Sequence, residues 1–192
     1  MKRIRFIQIF AIILIIFIIA EWIKPIRNMN YVENIDIDKL VMFNIEKPED
    51  MDKTTQLNNL LPANISLSGM GMAWENNNPH IDISYDYYGG NFLQLKKLER
   101  YWDNNKKKIL LFNATTYLIL TPKAKEITID LQIPTKQRFE VTRTDLESFY
   151  GRSLDDYYKD ITLWDKEVIK ETVNSHRKLK EFFLIHPIQD MK

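Results

Sequence analysis

Every second residue from His80 to Asp86, in the segment HIDISYD, carries a group that can move a proton or attack a carbonyl: His80, Asp82, Ser84 and Asp86. An imidazole, carboxylates and a hydroxyl are the parts of a hydrolytic triad, in which a base withdraws the proton of a nucleophilic oxygen. The intervening Ile81, Ile83 and Tyr85 mark a strand, because side chains alternate between the two faces of a sheet. That spacing also weakens the catalytic reading. Neighbours on one face of a strand stand about 6.5–7 Å apart, whereas a nucleophile and its base meet at about 2.6–3.2 Å. A second segment must complete any such site, and the plainer reading is a solvated polar face.

The other candidates are weaker. His176, Glu181, His186 and Asp190 could ligate a metal, but they follow no H-E-x-x-H or comparable spacing, and exposed helix and tail residues are the simpler reading. Gly69-Met70-Gly71 lacks the third glycine and the strand-to-helix setting of a nucleotide fingerprint, so these glycines fit a bulge or a close backbone approach. The abundance of Ile, Asn and Lys suggests an AT-rich bacterial genome, and in such a protein the sequons at Asn64 and Asn113 are chance matches. No catalytic, cofactor-binding or metal-binding residue is assigned. The chain has no cysteine, which excludes disulfides, thiolate zinc sites, iron–sulfur clusters and a lipidated N-terminal cysteine.

The surrounding pattern supplies the elements that must hold these residues. ISLSGMGMAW (65–74) and HIDISYDY (80–87) alternate on either side of the turn-rich ENNNP and read as an antiparallel hairpin, followed by a turn at Gly89-Gly90-Asn91. NFLQLKKLERYW (91–102) predicts a short helix. NNKKKILLFNATTYLIL (104–120) predicts a stronger one, capped by Asn104 or Asn105 and closed by Pro122. EITIDLQI (126–133) and RFEVT (138–142) form a second candidate pair, and a short helix fits 51–60 before Pro62. TDLE (144–147) reads as a capping box, SLDD (153–156) repeats the device, and Gly151 suits a helix C-cap. A final helix fits 164–183, with Trp164, Val168, Leu179 and Phe183 facing a core. Four strands and several helices in this order predict an α+β fold: an antiparallel sheet of about four strands, helices packed on one face and the other face wet.

The N-terminus is of another kind. Residues 6–20 hold no charge and twelve of the fifteen are Phe, Ile or Leu, a run that favours a bilayer by roughly 4–7 kcal/mol. Extended to 4–23, it makes about 30 Å of helix, enough to span. Lys2, Arg3 and Arg5 place the N-terminus in the cytoplasm, and Trp22 suits an interface. Ala20 is the one small residue near the end, a poor cleavage site, so a retained anchor is expected over a signal peptide cut after Ala20. The expected organisation is an anchor at 1–25, a tether at 26–38 and an extracytoplasmic domain at 39–192. Residues 1–27 carry five basic residues and one acid; removing these from the 27 basic and 26 acidic residues of the chain leaves 22 and 25. A mildly acidic domain lacks the footprint for nucleic acid. Residues 96–108 are locally basic and could face anionic lipid or wall polymer, although a solvated helix face is simpler.

LNNLLPANISLS, HIDISYDY, LLFNATTYLILTPKAKEITIDL and FEVTRTDLESFYGRSLDDY, in this order over about 57–158, resemble the bacterial family called domain of unknown function 4825. FNIEKPEDM departs from it near the start, where a YVG-like stretch is expected. The resemblance implies a small anchored protein of low-GC Gram-positive bacteria, related domains standing beside membrane regulators that sense antibiotics, and no catalytic residue. The resulting expectation is a single-pass extracytoplasmic interaction or sensing module. It binds the membrane through its N-terminal helix, meets an unknown protein or envelope ligand, and serves envelope-stress or antibiotic signalling. The alternative is an anchored hydrolase acting on peptides or wall material through the His80 strand.

Overall fold

The alternating segments become strands because one side of each can be buried while the other stays wet. The computed structural model describes residues 10, 12–16, 19–20, 26, 28–47, 50–73, 79–87, 92–133 and 135–191. In it β1 is Leu67–Ala73, β2 His80–Tyr85, β3 Glu126–Leu131 and β4 Gln137–Thr142, and their spatial order follows the chain. The fold is α+β, with two corrections to the expected sheet. Among the described residues there are five strands, because β5 (Gln189–Asp190) pairs with Gln137 and Arg138 of β4; two residues are too few to show alternation. The sheet is also mixed. β2 and β3 are parallel, from His80 opposite Glu126 to Tyr85 opposite Leu131, while the other neighbours are antiparallel. The cause is the connection: a helix returns the chain to the start of β2 before β3 begins, and such a crossover makes a parallel pair.

Two short helices precede the sheet, α1 (Ile37–Leu40) and α2 (Met51–Leu60). The crossover is α3 (Phe92–Leu120), one helix where the sequence pattern predicts two. Asn105 does not cap a second helix; its side-chain amide donates to the Tyr101 carbonyl one turn back, at 2.9 Å. All of residues 109–120 are buried, the polar ones included. The inner sheet face (Ile81, Ile83, Tyr85, Ile127, Ile129, Leu131, Phe139 and Val141) is buried with them in one core. Inside it Asn113 donates to the Pro62 carbonyl at 3.1 Å and to the Tyr85 hydroxyl at 2.7 Å. Thr115 shares a hydrogen bond of 3.1 Å with the Tyr150 hydroxyl, and the Tyr117 hydroxyl donates to Asn58. The Asn113 sequon is therefore sealed in the core.

The chain closes over α3 with α4 (Arg143–Tyr150), α5 (Leu154–Lys159), α6 (Ile161–Leu163), a π-helical stretch at Trp164–Val173, and α7 (His176–Ile185). The capping box lies two residues earlier than the sequence pattern predicts. Because β4 runs straight into α4, the extended Thr142 is the cap: its hydroxyl accepts from the Asp145 amide at 3.1 Å, and Asp145 accepts from the Thr142 amide at 2.9 Å. Glu147 instead accepts from the Leu154 amide at 3.0 Å, at the start of α5, which Ser153 caps. Gly151, at φ 74°, ends α4 in the left-handed region that favours glycine. The expected single helix at 164–183 is divided, since Ser175 caps α7 by accepting from the Lys178 amide at 3.3 Å.

Arg143 fastens these layers. Its guanidinium, 16% exposed, donates to the carbonyls of Leu118, Thr121 (3.1 Å) and Ala124 (3.1 Å), and faces Asp155 at 3.5 Å. Leu118 lies in the last turn of α3, whose carbonyls have no partner within the helix, and Thr121 and Ala124 follow it directly.

The N-terminal expectations need correction. Among the described residues no helix is long and apolar enough to cross a membrane. Within the apolar run the described residues, 10, 12–16 and 19–20, are helical. The rest of the expected anchor, at 1–9, 11, 17–18 and 21–25, lies outside the described residues. The single-pass anchor is thus unsupported, and with it the localisation built upon it. Residues 26–38, expected as a tether, pack into the domain where described: Met29 and Val32 are buried, and Asn30 donates to the Asn59 carbonyl at 2.6 Å.

Replacing Arg143 with Ala removes the side-chain donors to the Leu118, Thr121 and Ala124 carbonyls and the cation beside Asp155, and should lower the unfolding free energy by about 2–4 kcal/mol in urea titrations. Asp145→Ala should cost about 1 kcal/mol at neutral pH. Partial burial raises the pKa of the Asp145 carboxyl, but hydrogen bonds from Thr142 and the nearby His186 outweigh it and hold it below its ordinary 3.8. The carboxylate's contribution is therefore present above that pH and lost as pH falls through the lowered value, so the gap between variant and wild type should narrow in acid.

Candidate functional site

Strand register decides which polar residues meet. Ala73, Gly71 and Gly69 of β1 stand opposite His80, Asp82 and Ser84, which stand opposite Glu126, Thr128 and Asp130 of β3. These in turn oppose Thr142, Glu140 and Arg138 of β4. Residues paired across a sheet share a face, so the side away from α3 is one polar surface, the wet face of an α+β sheet. Its formal charges are four carboxylates, Asp82, Glu126, Asp130 and Glu140, against Arg138.

The charges are tied in local pairs. Arg138 Nε and Nη2 donate to the two oxygens of Asp130 at 2.7 and 2.9 Å, a bidentate pair, and Nη1 lies 3.7 Å from Glu140. Its hydrogen bond and charge contact with Asp130 raise the guanidinium pKa above the ordinary arginine value. His80 Nε2 lies 3.1 Å from Asp82 Oδ2. The two are closer than their backbone spacing suggests, because side chains lean along a strand. A base and an orienting carboxylate are thus in contact, but among the described residues no hydrogen bond joins Ser84 to either. Asp86 lies beyond the end of β2 and accepts from the Tyr87 amide at 2.6 Å, so it does not join the row.

The metal candidates are dispersed. His176 opens α7, Glu181 pairs with Arg177 at 2.7 Å, the His186 ring lies 4.8 Å from that of Phe182, and Asp190 accepts from Gln137 at 2.8 Å. Among the described residues no group of three His, Asp or Glu is placed to hold a metal ion. A groove of about 540 Å³ between α4 and α7 brings Asp145, Ser148 and His186 together beside Phe149 and Phe182. Asp145 is committed there to Thr142, and among the described residues no hydrogen bond links Ser148 to His186. Gly69 borders a register irregularity between Leu67 and Gly69; a Cβ on Gly69 or Gly71 would meet Ser84 or Asp82 at an ordinary 3.8 or 3.9 Å.

The basic residues of 96–108 form no single patch. Lys96 pairs with Glu99, Lys106 donates to Gln137 at 2.7 Å, Lys107 lies over the Phe183 ring and Lys108 meets Glu33 at 3.1 Å. They secure α3 to β4, α7 and the N-terminal segment. The residues that sequence reasoning missed are Thr128, Asp130, Arg138 and Glu140. Alternation in EITIDL and RFEVT puts each of them opposite the aliphatic side, but their place beside His80 depends on the parallel register.

No family model, curated protein or solved structure matches this chain. The side chains themselves are therefore the guide to function.

Asp130→Asn removes half the charge of the best-formed pair on a solvated surface. It should cost at most about 1 kcal/mol of stability, and 1 M salt should erase most of the difference in thermal unfolding.

Proposed function

We propose that the protein is an interaction or sensing module without catalysis, whose partner meets the polar face of the sheet. The observation that carries this reading is how that face is wired. Arg138, Asp130 and Glu140 on that face are partly exposed and paired with one another, as are His80 and Asp82, and among the described residues no hydrogen bond holds a hydroxyl against His80. A half-solvated sheet backed by the buried second half of α3 suits recognition, because its side chains are already positioned before a partner arrives.

A second reading, hydrolysis of peptides or polymers, is favoured by one contact, the His80–Asp82 pair, which resembles the base and its orienting carboxylate. The two are separated by assaying the full chain and its H80A/S84A double variant with a fluorogenic peptide and with p-nitrophenyl acetate. Both proteins should show the same background rates and the same cooperative unfolding. Turnover by the wild type that disappears in a folded double variant would replace the binding reading with the hydrolytic one.

A further inference from the structure

β1 is the outermost strand of the sheet. The Leu67 amide donates to the Asn64 carbonyl; from Gly69 to Ala73, among the described residues, no backbone–backbone hydrogen bond leads beyond β2, so the outward amides and carbonyls of that stretch form an open edge. Edge strands are ordinarily blunted by lysine, proline, inward charges or a covering segment. β1 carries neither charge nor proline, and the uncharged run extends over 65–74. Its one irregularity, near Leu67, leaves Gly69 to Ala73 in regular register with β2.

The two sides of this strand differ. Met70 and Met72 face inward with Ile83 and Ile81, and Met70 is held by the Asn58 amide, 3.3 Å from its sulfur. On the outer side Gly69 and Gly71 are bare although a Cβ would fit at both. Strands lie about 4.8 Å apart, so a strand added beside β1 would be separated from β2 by a strip without side chains. A long side chain on that strand can lie across Gly71 and reach Asp82, whose side chain is 55% exposed. The charge it meets is negative, since Arg138 is occupied by Asp130 and Glu140.

Building on the binding reading above, we propose that β1 takes an extended peptide segment by strand addition, with lysine or arginine at alternate positions directed toward Asp82. Main-chain hydrogen bonds provide the attachment, and the glycine strip with its adjoining carboxylate selects basic side chains.

The test uses the full chain and a fluorescein-labelled, end-blocked nonapeptide alternating lysine with valine, its twin alternating glutamate with valine, and fluorescence anisotropy at low and high salt. The lysine peptide should bind at least about tenfold tighter than the glutamate peptide, and it should slow amide exchange in Leu67–Ala73. Gly71→Lys should weaken binding by about tenfold or more without shifting thermal unfolding, and Asp82→Asn by about three- to fivefold. No binding of the lysine peptide, or equal binding of both peptides, overturns the proposal. Binding without protection of β1 also overturns it, while leaving the polar face as an interaction surface. A concentration-dependent dimer that Gly71→Lys dissociates would assign the edge to a second copy of the chain instead. Failure of the binding reading itself would be seen separately, as hydrolysis lost in H80A/S84A.

Discussion

A stretch of helix with no solvent on any side is the constraint from which the rest of this structure follows. Residues 109–120 are entirely buried, and a helix in that position has lost the water that normally serves its polar side chains and its final carbonyls. Asn113 and Thr115 therefore find partners on Pro62, Tyr85 and Tyr150. Arg143 supplies the donors that the helix end and its following turn require. These partners come from three segments, the α2–β1 connection, β2 and α4, so satisfying the helix also fixes where the sheet and the C-terminal helices stand.

The same helix decides the character of the two sheet faces. It reverses the chain between β2 and β3, makes their pairing parallel, and presses one face of all four long strands into the core. The opposite face is left with every polar residue that alternation put there. That face owes its fixed spacing to the strand pairing and to the packing behind it. Its ion pairs need contribute little to stability, which leaves them free to be exchanged for contacts with something else.

Much of this was legible in the residues, and the gaps have physical reasons. HIDISY, EITIDL and RFEVT show period-two alternation because one face is wet, and Gly151 and Ser153 mark helix ends by local chemistry alone. The continuity of α3 was hidden by Asn104 and Asn105, which resemble a cap until Asn105 is seen bonding within the helix. The capping box was misplaced because Thr142 belongs to a strand and a helix at once, a junction that neither local pattern describes. Register between β2 and β3 is a tertiary property with some forty intervening residues, so the assembly of His80, Asp82, Asp130 and Arg138 on one surface was beyond sequence alone. The apolar N-terminal run has the composition of a span, yet among the described residues no helix is both long and apolar enough to cross a membrane.

The parallel pairing has a bearing on how the molecule is made. β1 and β2 are complete when Tyr85 has been synthesised, but the neighbour of β2 is not finished until Leu131. During translation the young hairpin thus waits with both of its borders open and its isoleucines uncovered, a state in which chains at high density stick to one another. Only the arrival of α3 and β3 covers those isoleucines and closes the β2 border.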